Sequence, residues 1–304
     1  MQTQKTIRAA VIQHANTKDK KQNLAESLHW IEQAAKAGAQ LVLLQELHGT
    51  LYFCQEESWD AFELAEPLDG LTVQTLKQCA KDHQIVLVGS FFEKRAPGIY
   101  HNTAVVIEKN GALAGIYRKM HIPDDPGFYE KFYFTPGDAR SHAFPKAGFT
   151  PIQTHLGKLG VLVCWDQWYP EAARLMALNG AELLLYPTAI GWNPADDLAE
   201  KTRQREAWIT IQRSHAIANH LPVLVANRVG VEAAPTLNTE THFWGNSFIA
   251  GTQGEILTHA DTSTPQFISA DIDLTQIDRQ RTIWPFFRDR RIDAYGGLLN
   301  RYSQ

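Results

Sequence analysis

Residues 159–187 read LGVLVCWDQWYPEAARLMALNGAELLLYP. Two short apolar runs, LGVLVC and ELLLYP, flank a segment whose apolar residues recur at helical spacing, and Pro170 with Glu171 suits the first turn of a helix. The unit therefore reads as strand, helix, strand, which predicts two parallel strands with a helix crossing between them. Cys164 closes the first strand, so its sulfur is expected at a strand-to-helix corner at the end of a sheet.

The same order recurs on both sides. Upstream lie a strand IRAAVIQ (7–13), a helix over 23–39, the apolar run LVLLQE (41–46), a helix over 72–84 and the strand IVLVGSFFE (85–93). Two strands within 102–119 then turn at Asn110-Gly111, and a loop rich in Pro, Gly and aromatics fills 121–147. Downstream, a long helix from Asp197 to Asn219, a strand PVLVANRVG (222–230) and a hairpin over 245–260 repeat that plan, the two hairpins starting at Asn102 and Asn246. Two such halves predict an α/β fold, a four-layer α-β-β-α sandwich of two mixed sheets with pseudo-two-fold symmetry. A doubly wound single sheet fits the first half equally well, but neither GxGxxG nor GxxxxGKS/T stands in a strand-to-helix turn.

Composition bounds the function. The 304 residues are 44% hydrophobic and 20% charged, ordinary globular values that predict one domain over 1–304. Acidic residues outnumber Lys and Arg by 33 to 29 without a long block of either sign, which argues against nucleic acid and for a small ligand. No run of about 18 apolar residues marks a membrane span, and the N-terminus lacks the sustained apolar core of a signal peptide. A cytoplasmic protein is expected. Three widely spaced cysteines suit a reducing compartment, with Cys54 and Cys79 structural. Among 3 Cys and 12 His there is neither CxxC nor HExxH, and His215 and His220 stand on different helix faces, so no metal site is expected.

Three residues of chemical interest end strands: Glu46 closes LVLLQE, Lys119 closes the first hairpin, and Cys164 closes LGVLVC. Singly, such a charge is most often a strand reaching solvent, and such a cysteine a buried structural one. Three on three strands is the way a sheet fold gathers a site from distant segments. A thiol of pKa near 8.5 needs a base or a cation to ionise at neutral pH, and Glu46 and Lys119 are one of each. At the corner, the Trp165 N–H and the positive helix end favour thiolate and oxyanion alike.

LVLLQE, then YRKMHIPDD with EKFYF, then CWDQWYPEAARLMALNGAELLLYPTAIG resemble the three catalytic blocks of the nitrilase (carbon–nitrogen hydrolase) superfamily, and the likeness spans nearly the full chain. Within it, CWDQWYPEAAR, YPTAIG and WPFFRDRRIDAY resemble the branch of N-carbamoylputrescine amidohydrolases. The resemblance implies Cys164 as nucleophile, Glu46 as general base, Lys119 as the cation on the tetrahedral oxyanion, and Glu130 as a fourth residue that positions substrate or Lys119. It also implies the four-layer sandwich, a homo-oligomer, and hydrolysis of a ureido-amine through a Cys164 carbamoyl thioester without metal or organic cofactor. Alternatives are another amidase, a β-ureidopropionase-like hydrolase or a nitrilase of the same superfamily, and a non-catalytic scaffold member.

Relatives in that superfamily that act on N-carbamoyl-D-amino acids carry paired arginines three and four places after the nucleophile. Here Gln167 and Trp168 stand there. Asp124, Asp125 and Asp166, with Trp168 and Trp192, instead suit a substrate with an ammonium tail. His121 is expected to make a structural hydrogen bond. The segment 284–304, with Arg288-Asp289-Arg290-Arg291 beside Trp284, Phe286 and Phe287, is expected at a subunit contact.

Overall fold

A computed structural model describes residues 5–142, 145–234 and 236–302. In chain order the first half runs β1 (Thr6–Gln13), α1 (Lys20–Lys36), β2 (Leu41–Leu43), α2 (Leu71–His83), β3 (Val86–Ala96), β4 (Ile99–Ile107), β5 (Leu113–Arg118) and the single-turn α3 (Glu130–Tyr133). The second half opens with β6 (Ile152–Thr154), β7 (Gly157–Val161), α4 (Pro170–Leu178), β8 (Leu183–Pro187), β9 (Gly191–Trp192) and α5 (Leu198–Asn219). It continues through β10 (Val223–Ala226), β11 (Val229–Ala233), β12 (Glu240–Trp244), β13 (Phe248–Ala250), β14 (Ile256–His259), β15 (Gln266–Asp273) and α6 (Thr275–Ile283).

One sheet has the order β15-β1-β2-β3-β4-β5 and the other β6-β7-β8-β10-β13-β14. Each holds three parallel neighbours, β1-β2-β3 in one and β7-β8-β10 in the other. An antiparallel strand flanks each trio on one side, β15 or β6, and an antiparallel pair on the other, β4-β5 or β13-β14. This matching order is the pseudo-two-fold.

Alternate residues of the first sheet serve opposite faces, as the period of a strand requires. Ala9, Val11, Leu41, Leu43, Val86 and Val88 share one continuous core with the second sheet. Ala10, Ile12, Val42, Leu44 and Leu87 pack instead on Ile31 and Ala34 of α1 and Val73, Leu76 and Ala80 of α2. Beyond the second sheet, Ala172, Ala173 and Met176 of α4 and Trp208 and Ala216 of α5 join its core, completing four layers. Each fully buried Leu or Val contributes about 1.5–3 kcal/mol of apolar transfer.

β6, β15 and one small sheet are additions to the sequence reading. β15 reads QFISADID and is half-exposed along most of its length, so its apolar signal is weak. The stretch PVLVANRVG is not one strand: β10 stops at Ala226, and β11 pairs with β12 and β9 in a separate three-stranded sheet. A Cβ at Gly191 would sit 2.5 Å from the His242 carbonyl oxygen, so only glycine lets β9 approach β12.

Because β1, β2 and β3 run parallel and β5 runs with β3, the segments after β2 and β5 leave the first sheet at one edge. Those after β7, β8 and β10 leave the corresponding edge of the second sheet. The Glu46 N–H donates to the Thr188 carbonyl at 3.3 Å, tying the two edges together. Tyr52, Phe53, Phe92, Tyr133 and Phe134 form an aromatic cluster on the segments that carry the site.

Candidate active site

Glu46 and Cys164 each lie three residues past their strands, in extensions that remain paired through Leu44 N–H to Val88 O (2.9 Å) and Leu162 N–H to Leu185 O (2.9 Å). The Gln45 side chain continues the β1–β2 pairing, accepting from His14 N at 2.8 Å and donating to His14 O at 2.9 Å. Glu46 is thereby fixed on both sides of its backbone, and Leu47 reverses the chain at φ 50° with its N–H on Ser90 Oγ. Lys119 follows β5 opposite Asn102, its N–H donating to Asn102 O at 2.9 Å.

Cys164 takes φ 43°, in the left-handed region, at a cost of about 1–2 kcal/mol to a non-glycine residue. It opens a 3-10 turn, Cys164–Trp168, with α4 starting only at Pro170. As one of the first N–H groups of that turn, Trp165 N–H has no intrahelical acceptor. Asp166 locks the corner: its carboxylate accepts from Val163 N (2.9 Å), Tyr117 Oη (2.7 Å), His121 N (3.0 Å) and His121 Nδ1 (2.6 Å). This ties the cysteine turn to the segment carrying Lys119. His121 makes the structural bond expected of it and stacks on Tyr169 with ring centroids 3.8 Å apart.

Lys119, Glu46 and Glu130 are all buried and joined. Lys119 Nζ donates to Glu46 Oε1 at 2.9 Å and to Glu130 Oε2 at 2.6 Å. Asn102 Nδ2 also donates to Glu46 Oε1 at 2.6 Å, and Tyr52 Oη to Glu130 Oε1 at 2.8 Å. Glu46 Oε2 has no hydrogen-bond partner among the described residues. Cys164 Sγ lies 3.8 Å from the Ala189 carbonyl oxygen.

Charge in this cluster is set by burial against pairing. Burial alone pulls the Lys119 pKa down, but the Glu130 and Glu46 carboxylates overcome it and hold the ammonium well above its usual range. Burial lifts Glu130 to about 7, with Glu46 adding to the rise and Lys119 opposing it. Burial, then Glu46, pushes the Cys164 thiol well up against the pull of Lys119. Burial thus opposes the thiolate that the corner and Lys119 favour.

A cleft of about 380 Å³ opens on Cys164 and is lined by Glu130, Asp125, Asp196, Trp165, Trp168 and Trp244 among others. No Lys, Arg or His is among the described residues that line it. Gln167 is buried behind it, accepting from Trp208 Nε1 and Thr188 Oγ1. Glu46 and Lys119 are not in its lining, and neither are three further residues named from the sequence: Asp166 is consumed in the corner, Asp124 faces Lys131 at 4.0 Å, and the Trp192 indole donates to Lys201 O. Among the described residues no group of three His, Cys, Asp or Glu side chains is arranged to hold a metal ion.

Sequence reading missed Tyr52 and Arg228. Tyr52 is followed by Phe53 in a stretch that looks like ordinary core, and only the fold brings it to Glu130. Arg228 is fully buried and donates to Glu46 O (2.6 Å), Leu47 O (3.2 Å), Thr50 O (3.2 Å) and Glu232 Oε1 (2.8 Å).

The family described as carbon-nitrogen hydrolase matches residues 8–282. The chain belongs to the carbon–nitrogen hydrolase family. It is an amidohydrolase. This carbon–nitrogen hydrolase is 51% identical to one of known crystal structure from Helicobacter pylori G27, with a TM-score of 0.93 covering 98% of this chain and 100% of that one. Over 296 residues it is 42% identical to the N-carbamoylputrescine amidase of Solanum tuberosum, covering 96% of this chain and 95% of that protein. It is also 41% identical over 298 residues to the citrullinase of Francisella tularensis, covering 97% and 99%. No helix among the described residues is long and apolar enough to cross a membrane.

Proposed function

We propose that the protein hydrolyses N-carbamoylputrescine to putrescine, ammonia and carbon dioxide, a step of polyamine biosynthesis. The observation that carries this reading is a cleft at Cys164 lined by carboxylates and aromatic rings with no cation in its described wall. Such a wall suits a substrate that ends in an ammonium group.

In the proposed cycle Cys164 Sγ attacks the ureido carbon while Glu46, through its unpartnered Oε2, takes the thiol proton. Coupling ionisation to attack fits a thiol whose ionisation burial opposes. The tetrahedral oxyanion is stabilised by the Lys119 ammonium and the Trp165 N–H, donors worth about 3–4 kcal/mol each in such a place. Glu46 returns the proton to the departing amine as the C–N bond breaks, leaving the carbamoyl thioester. Water then attacks that carbon, Glu46 accepts its proton and passes it to the leaving sulfur, and the released carbamic acid breaks down to ammonia and carbon dioxide. Glu130, paired to Lys119 and Tyr52, keeps the ammonium in place.

The likeness to a citrullinase favours a second reading, since citrulline carries the same ureido group. Its tail adds a carboxylate, which would meet Asp125, Asp196 and Glu130 without a cation. Ammonia release from N-carbamoylputrescine, citrulline, β-ureidopropionate and N-butylurea tests the choice. Citrulline or β-ureidopropionate outperforming the amine in kcat/KM would remove the proposed substrate.

Copies of the chain are further proposed to associate through the C-terminal segment. Ile292 is 72% exposed, Leu298 65% and Leu299 92%, an apolar load that a lone surface seldom carries. A monomeric mass in light scattering at micromolar concentration would contradict this.

A further inference from the structure

We infer that Asp125 and Asp196, from two different segments of the cleft wall, grip the substrate's ammonium beside the Trp165 and Trp168 rings and set selectivity for a cationic tail. This rests on the ureido-amine reading above and goes beyond it by naming the residues that choose the tail.

The two carboxylates come from different segments. Asp125 belongs to the loop between β5 and α3, closed by Phe128 N–H to Asp125 O at 2.8 Å. Asp196 precedes α5 and is held from it, its Oδ2 accepting from Gln204 Nε2 at 3.0 Å. Both line the cleft that holds Cys164. Asp125 Oδ1 is buried with no hydrogen-bond partner among the described residues. A buried, unpartnered carboxylate oxygen costs about 1–3 kcal/mol, so its presence beside the nucleophile calls for a donor that arrives with the ligand.

Lys131, Lys201 and Lys119, on the neighbouring segments, do not fill that role. Lys131 faces Asp124, and Lys201 Nζ donates to Pro194 O at 3.0 Å. Lys119, though it acts on Asp125 electrostatically, is committed to Glu46 and Glu130. Burial raises the Asp125 carboxyl above its usual range, the direction expected of an acid waiting for a positive partner. The Trp165 and Trp168 rings meet edge to face, at 71° with centroids 6.4 Å apart, and give the cleft an aromatic surface on which the methylene chain and its cationic end can lie. Glu130 lines the same cleft, but both its oxygens are already bonded, which leaves Asp125 and Asp196 for the ligand.

The test compares N-carbamoylputrescine with N-butylurea, the same ureido compound without the amine, on wild type, Asp125→Asn and Asp196→Asn, with thermal midpoints recorded. Wild type should prefer the amine in kcat/KM. Asp125→Asn should lower kcat/KM for the amine about 10- to 100-fold, mainly through KM, with a loss on butylurea at least tenfold smaller. Asp196→Asn should show the same selective loss, smaller because Gln204 already neutralises part of its demand. If Asp125→Asn does not fold, the Asp196→Asn comparison decides alone. Equal losses on both substrates, or no loss on either, overturns the inference while leaving the substrate reading intact. Wild type that prefers butylurea overturns both together.

Discussion

Arg228 anchors the segment that presents Glu46, and Arg228→Met should show it. The guanidinium is fully buried and bonds three carbonyls, of Glu46, Leu47 and Thr50, and Glu232 Oε1. Glu232 is itself buried, and its other oxygen accepts the Tyr52 N–H at 2.6 Å. One ion pair therefore holds both Glu46, the proposed base, and Tyr52, the partner of Glu130. Removing the cation strands a buried carboxylate, which costs about 3–5 kcal/mol, and the three carbonyls lose donors as well. At about 2–4 °C per kcal/mol for a chain of this size, the thermal midpoint should fall by roughly 6–20 °C. Arg228→Met with Glu232→Gln removes the stranded charge and should recover at least about 1 kcal/mol of that loss. In the residual folded enzyme kcat should fall more than KM rises, because the group displaced is a proton carrier rather than a substrate contact. The assay is scanning calorimetry at fixed protein concentration beside ammonia-release kinetics. A midpoint within about 2 °C of wild type, or a double variant no better than the single one, would refute the reasoning.

Cys164→Ala should fold and lose turnover, whereas Cys54→Ala and Cys79→Ala retain it; turnover by a folded Cys164→Ala protein would falsify the nucleophile. Thiol alkylation should abolish activity in step with modification of Cys164, and exhaustive chelation should leave it unchanged, as metal analysis of the active protein can check. Glu130 has a folded pKa of about 7 against an ordinary 4.5, so between those values the native state binds more protons than the unfolded one. Unfolding free energy should accordingly fall as pH rises from about 5 to 7, by at most about 1.4 kcal/mol per pH unit from this group, and Glu130→Gln should flatten the slope. An unchanged slope in urea titrations of that variant would show that Glu130 does not titrate there. Lys119→Met should lower kcat by about two to three decades, and a loss below tenfold would remove Lys119 from the oxyanion site.

Local sequence was enough to determine the elements that bury a regular face. The strand-helix-strand unit around Cys164 and the α5 span beginning after Asp197 follow from apolar periodicity and turn residues, whereas the flanking strands β6 and β15 that complete the matching order of the two sheets do not. Glu46, Lys119, Glu130 and Cys164 were legible because three blocks in a fixed order resemble those of a known superfamily. Tertiary structure alone decided which of the nearby acids matter. Asp124, Asp125 and Asp166 look alike in the chain, yet only Asp125 lines the cleft, while Asp166 serves the backbone of the corner and Asp124 faces Lys131. The burial that opposes ionisation of Cys164, the placement of Tyr52 and the bonds of Arg228 were likewise invisible. Periodicity reports which face of a segment meets the core. Burial of a charge, and the partner it finds, depend on segments up to 182 residues away, as Arg228 is from Glu46, and those meet only when two sheets close on one another.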